Sequence, residues 1–325
     1  EDQINAIRQE ITKLTPVAGA GLTLQQRLEG EFWFTVHPNG KTFDEFKWEF
    51  DEEATEFVRQ LRHAAPEELG EGVQLLRLGV GVLKVMNRTD DNGLLITRKD
   101  GRAVYGRFLE VIRSKKFHHA VVKGSPGIGK SFHLLYLLLQ IVLQHPERAV
   151  ILSVGKQGSV YAFVPPRPDR GEEEYRVYQT DVAHFTEASC AILRNPDNFY
   201  LYDPPESVGE PAEVDAHTII AASPNVAHFK GAEKRQMNAT LYMRPPTVEE
   251  LRVMQPLLLP DMSVADFEKR LYLVGRTVRH LFDNTYEVRR DAILAAVGAL
   301  TNSHQGKSLQ LALAAAPSAH MATVT

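Results

Sequence analysis

At 325 residues, 43% apolar and 24% charged, the chain has enough apolar side chains for one large globular domain with additions, or for two. A formal net charge of -4 and a pI near 6.3 exclude a surface that coats nucleic acid by overall positive charge, and a single cysteine, Cys190, excludes an intrachain disulfide framework and a cysteine-rich zinc site. The most apolar stretch, Leu134 to Leu143, is broken by Gln140 and falls far short of the roughly 20 residues that cross a bilayer, so the expectation is a buried helix in an intracellular protein with no membrane partner.

In chain order, the start at Glu1 carries no Met and no basic segment before an apolar run, and reads as a trimmed piece of a longer product. "EDQINAIRQEITKL" is helix-like. Two aromatic runs then flank Pro38-Asn39-Gly40, a hairpin signal, and the Glu45-x-Lys47 pair reads as a solvated strand face. "DEEATEFVRQLRHAAPEEL" and "GVQLLRLGVGVLKVM" predict helices. Residues 1–95 are thus expected to form a small α+β N-terminal region.

"GLLITRKDGRAVYGRFLEVIRS" predicts a strand, a turn and an amphipathic helix that delivers the chain to the strand "FHHAVVKG". After the glycine-rich loop and its helix come the strands "RAVILSV", "VYAFVPP", "YRVYQTDV", "NFYLYD" and "HTIIAASPN", with the polar "RPDRGEEE" loop among them. Strands alternating with helices predict an α/β core at 96–245 with a parallel sheet covered on both faces. From Thr247 the pattern turns helical: "TVEELRVMQPLLL", "SVADFEKRLYLVG", "RTVRHLFDN" and "YEVRRDAILAAVGAL" suit a lid at 246–301, followed by a flexible tail at 302–325. No internal repeat is evident.

The densest chemical signal is "VVKGSPGIGKSFHLLYLLLQ". Its Gly124-x-x-x-x-Gly129-Lys130-Ser131 spacing, between a strand and a helix, is that of a phosphate-binding P-loop. A triphosphate is held by backbone N–H groups, and glycines let the backbone curl close around it while the helix N-terminus adds attraction. The candidate nucleotide-binding residues are Gly124, Ser125, Pro126, Gly127, Ile128, Gly129, Lys130, Ser131 and Phe132. Lys130 would reach the β- and γ-phosphates, and the Ser131 hydroxyl would ligate Mg²⁺.

Hydrolysis needs a second acid on a neighbouring strand, and "NFYLYDPPE" supplies Asp203 about 70 residues downstream as a further Mg²⁺ candidate. Many ATPases place a glutamate directly after that aspartate to orient water. Here Pro204 stands there, and Glu206 is the nearest carboxylate that could substitute. Ser223 and Asn225 could sense the γ-phosphate from the next strand end, and Arg276 or Arg279 could reach the nucleotide from the lid. Arg235 could act in trans in an oligomer, but a surface helix arginine is the safer reading. "RSKKFHH" fits a helix C-terminus as well as a phosphate backbone, His118 and His119 lack metal-ligand companions, and Cys190 lacks a base.

Together these residues resemble the Crinkler effectors and retrotransposon hot spot proteins. "VVKGSPGIGKSFHLLYLLLQ" is similar to their G-[ST]-P-G-I-G-K-S loop and Leu/Tyr-rich helix, and the likeness continues through "YLYD", "AASPN", "PTVEELRVM" and "YLVGRTVRHLF". In the last segment Gly275 and Arg279 match the family's Gly-Gly-x-Pro-Arg pattern, while Arg276 and Val278 replace its second glycine and its proline. The resemblance spans about residues 100–300 and implies a P-loop NTPase core of the additional-strand, AAA+- or STAND-like type. It also implies a secreted effector acting in a host-cell nucleus, with a nuclease or kinase-like module outside this chain.

The expected function is therefore a Mg²⁺-dependent NTPase, using ATP slowly, that works as a regulatory switch or motor module. Lys130, Asp203, Glu206 and Arg279 would be its catalytic groups. The alternative is an ATP-binding scaffold that does not hydrolyse its ligand and recruits a protein or DNA partner; a phosphotransferase is weaker because no acceptor-site motif appears. No guanine-reading Asn-Lys-x-Asp stretch is present, and base preference stays open between ATP and GTP.

Overall fold

The computed structural model describes residues 48–78, 93–113, 118–154, 158–166, 173–204, 210–222, 231, 234, 238–282 and 286–302. The helix at the chain start, the Pro38-Asn39-Gly40 hairpin, the Glu45-x-Lys47 pair, most of "RPDRGEEE", Glu206, Ser223, Asn225, Arg235 and the tail beyond 302 lie outside the described residues.

The short strand β1 (Glu49–Phe50) leads into helix α1 (Glu52–His63). Asp51 caps this helix by accepting from the Ala54 amide at 2.8 Å, and its first turn carries Glu52 and Glu53. The sequence reading ran this helix to Leu69 and expected another from Gly72. The structure corrects both: Glu67–Gly70 is strand β2 and Val73–Arg77 is strand β3. Pro66 bars helix continuation, and Gly70 (φ 103) and Gly72 (φ 72) turn the chain back in a conformation that favours glycine. Strand β4 (Leu94–Arg98) completes a three-stranded antiparallel sheet and runs directly into helix α2 (Lys99–Arg113).

Among the described residues the large sheet has eight strands. Five run parallel: β5 (His119–Lys123), β6 (Val150–Val154), β9 (Phe199–Asp203), β10 (His217–Ala221) and β11 (Asn238–Tyr242). The order is β1-β8-β7-β6-β9-β10-β5-β11, where β7 (Ser159–Val164) and β8 (Arg176–Asp181) extend one edge in antiparallel fashion. The expected α/β core with a parallel sheet is thus present, with an antiparallel margin that the sequence reading had not foreseen. The edge strand β11 was also unforeseen, since "NATLY" has no apolar run and leaves Tyr242 exposed.

Period-two alternation assigns the side chains to two buried faces. Ala120, Val122, Val150, Leu152, Phe199, Leu201, Ile219 and Ala221 join one apolar cluster, while Val121, Ile151, Tyr200, Tyr202 and Ile220 join another. The first face is covered by α1, α2 and helix α3 (Lys130–Gln144), whose Leu134, Leu135, Leu137, Leu138, Ile141 and Val142 are all buried. Phe57, Val58 and Leu61 of α1 and Leu76 and Leu95 of the small sheet belong to this same cluster. On the second face, short 3-10 turns bring Cys190, Ile192 and Leu193 onto the strands.

The C-terminal part has its own small core. Helices α4 (Val248–Leu258), α5 (Val264–Val274) and α6 (Val278–Phe282) gather around Leu251, Phe267, Leu271 and Leu281, and helix α7 (Tyr286–Asn302) follows, with the Tyr286 ring under the Arg270 guanidinium of α5. Thr247 and Glu250 form a reciprocal capping box at the head of α4, and Ser263 caps α5. Among the described residues no helix is long and apolar enough to cross a membrane.

Candidate functional site

The chain leaves β5 at Lys123, turns through Gly124–Gly129 and enters α3 at Lys130. Gly127 (φ 72) and Gly129 (φ 97) are left-handed, and a Cβ on Gly124 would stand 2.7 Å from the Met243 carbonyl oxygen. Gly129 is the N-cap of α3 and offers no capping side chain, so it supplies no acceptor for the first amides of the helix.

Three successive carbonyls, the last two of the loop and the first of α3, are held from the protein side. The Arg98 guanidinium donates to Ile128 O at 3.1 Å, the His133 ring to Gly129 O at 2.8 Å, and the Tyr105 hydroxyl to Lys130 O at 2.9 Å. In a trans peptide the C=O and the following N–H point in opposite directions. Anchoring these oxygens therefore turns the N–H groups of Gly129, Lys130 and Ser131 the other way, toward the mouth of the loop. Such an array of aimed amides is what an anion needs.

The three anchors are themselves constrained. The Arg98 amide donates to His133 Nε2 at 3.1 Å, so that nitrogen is the acceptor and Nδ1 carries the proton given to Gly129 O. Burial pushes His133 down to about 4, which keeps the ring neutral. Tyr105 stacks on it with ring centroids 6.2 Å apart, and Gly101 leaves the space that the ring fills, since a Cβ there would meet it at 2.1 Å.

Lys130 is buried, and its ammonium donates to Gly124 O at 2.8 Å and Ser125 O at 2.9 Å. Burial pulls its pKa from 10.5 to about 8; Asp203 opposes that shift and Arg279 adds to it. Asp203 is buried at the C-terminal end of β9, in register with Val154, on the sheet edge where β5 delivers the loop. Strand β10 lies between β9 and β5. Ser131 is half-buried, as is Phe132, which packs against the first core cluster.

Arg279 also arrives at the loop. Its amide donates to Gly127 O at 3.1 Å, and a Cβ on Gly127 would stand 2.9 Å from both Thr277 Cγ2 and Arg279 Cβ. Arg276 lies within electrostatic reach of Glu249 at the head of α4. Gly275 ends α5 at φ 70, a turn that favours glycine. The structure thus brings together the glycine-rich loop, Asp203 and Arg279.

The remaining candidates have ordinary roles. Cys190 is buried and burial pushes its thiol up to about 11, as befits a packing residue. His118 stacks on His217 at 5.4 Å, and among the described residues no group of three or more His, Cys, Asp or Glu could hold a metal ion. Sequence reasoning missed Arg98, Tyr105, His133 and Glu250. The available signal was His133 and Tyr136 inside an otherwise aliphatic helix, and Arg98 closing the strand "LLITR". No protein-family model matches the chain, and no curated protein matches it either.

Proposed function

We propose that the chain is a Mg²⁺-dependent P-loop NTPase that hydrolyses ATP slowly and uses the cycle to move its helical tail. The observation that carries this reading is the pairing of a buried lysine, at a loop of aimed amides, with a buried aspartate two strands away. Two interstrand spacings amount to about 10 Å, room for a phosphate and a hydrated ion between them. The order β6-β9-β10-β5-β11 supports the additional-strand class, in which one strand separates the loop strand from the acid-bearing strand.

The residues would divide the work as follows. Amides of Gly127 to Ser131 bind the β-phosphate, and Lys130 exchanges its two carbonyl acceptors for β- and γ-oxygens. Ser131 and Asp203 offer a hydroxyl and a carboxylate, an oxygen-only set suited to Mg²⁺ held partly through water. Held there, Mg²⁺ would supply charge neutralisation; Lys130 and the loop amides would steady the γ-phosphoryl group while water displaces ADP from it, giving ADP and phosphate. Arg279, already at the loop, would stabilise the transferring group, and Glu206 would orient the water. The likeness to Crinkler and retrotransposon hot spot proteins supports reading it as a regulatory switch or motor module.

A second reading, ATP as a conformational ligand without hydrolysis, is favoured by Pro204 directly after Asp203. Phosphate release from ATP and GTP with Mg²⁺ separates the two, run on wild type, Lys130→Ala and Asp203→Ala with nucleotide binding followed in parallel. The enzyme reading expects turnover that falls at least about 100-fold in each variant. Binding without turnover selects the scaffold, and no binding by wild type refutes both.

A further inference from the structure

Arg98 is 2% exposed and Glu250 6%, and they meet across 152 residues of chain. The Arg98 guanidinium reaches three elements at once: Ile128 O in the phosphate loop, Arg244 O after β11 at 3.2 Å, and Glu250 Oε2 on α4 at 3.4 Å. Glu250 is equally committed, since the same carboxylate oxygen accepts from the Thr247 amide at 2.8 Å. One planar cation thus joins the loop, the last strand of the core and the first helix of the tail.

We propose that Arg98 and Glu250 form a buried latch through which the position of the helical tail governs the shape of the phosphate loop. Both groups are positioning residues, for neither is placed to touch the nucleotide. When the tail is seated, Glu250 holds Nη1 of the guanidinium while Nη2 fixes the Ile128 carbonyl and so aims the Gly129 amide. Swinging α4 away takes Glu250 from a buried cation, which the protein resists strongly because an unpaired buried charge is costly. Arg98 must then re-aim or drag Ile128 with it. Loop and tail are therefore coupled in both directions, as any linkage of this kind requires.

The proposal rests on the nucleotide reading for its ligand, but the latch can be tested without one. Hydrogen exchange on the nucleotide-free chain follows the two amides bonded to loop carbonyls, His133 to Gly129 O and Arg279 to Gly127 O, in wild type, Glu250→Gln and, as a control on the exposed face of α4, Arg252→Ala. Glu250→Gln keeps the shape and the Thr247 contact while removing the charge. The expected result is exchange about tenfold faster at the loop in Glu250→Gln and unchanged in Arg252→Ala. An unchanged loop in a folded Glu250→Gln protein overturns the latch, and so does equal loosening in both variants.

Arg98→Lys, which keeps charge but loses the fork, should behave like Glu250→Gln if the planar geometry matters; wild-type exchange in that variant overturns the geometric argument. Mg·ATP binding measured on the same samples reports on the nucleotide reading separately. A chain that shows the exchange pattern but binds no nucleotide retains the latch and loses the proposed ligand.

Discussion

Lys130 should leave a pH signature on stability. With its pKa pulled from 10.5 to about 8, and 1.36 kcal/mol per unit, the charged ammonium is disfavoured on folding by about 3 kcal/mol. Below pH 8 the folded and unfolded chains are both protonated there, and this cost is complete. Between pH 8 and 10.5 the unfolded chain holds more protons than the folded one, so stability rises with pH. Tyr105, Tyr161, Tyr175, Tyr200 and Tyr202, all pushed up by burial, act in the opposite sense above pH 10. Comparison with Lys130→Met cancels them. Urea unfolding in steps from pH 7 to 10 should find the variant's stability advantage shrinking by roughly 2–3 kcal/mol. A constant difference would refute the burial argument. Bound phosphates would favour the charged form, so Mg·ATP affinity should fall, by up to about tenfold per unit, as pH rises above 8.

Two glycine pairs give further tests. Gly106 and Gly101 share α2, but a Cβ at Gly106 meets nothing within 4 Å, whereas at Gly101 it meets the His133 ring at 2.1 Å. Gly106→Ala should stabilise by about 0.5–1 kcal/mol and Gly101→Ala destabilise by about 1–3 kcal/mol, read as opposite shifts of the urea midpoint. Gly127 and Gly275 have nearly the same positive φ, 72 and 70, yet only Gly127 is crowded, by Thr277 and Arg279. Gly127→Ala should lose about 1–2 kcal/mol to backbone strain, and Gly275→Ala, whose ψ of -163 lies in a region almost confined to glycine, about 1–3 kcal/mol. Only Gly127→Ala should also speed proteolysis of the tail, and equal protease sensitivity in the two would contradict the docking of α6 on the loop.

The loop, its flanking strand and helix, and the strands β6 to β10 were legible because their signals are local. Glycines beside a lysine and serine have few other uses, and apolar runs between polar turns mark buried strands. The order of those strands was not legible, for parallel strands buried on both faces look alike. Strand β3 was misread because "VQLLR" lacks clean alternation and the decisive information sat in the Gly70-Glu71-Gly72 turn before it. Arg98, Tyr105 and His133 escaped because what they hold are main-chain oxygens 4 to 30 residues away, and a carbonyl has no sequence identity. Asp203 was readable as a strand-end acid, but its closeness to Lys130 depends on β10 being the strand between them.

The contact between Gly127 O and the Arg279 amide joins two main-chain atoms. A side-chain scan is therefore blind to it: alanine at 279 removes the guanidinium but leaves the tie. The two contributions separate only through a residue without an N–H, such as Arg279→Pro, set beside Arg279→Ala. Drift at position 279 across related chains could likewise change the charge over the loop many times without ever undocking the tail.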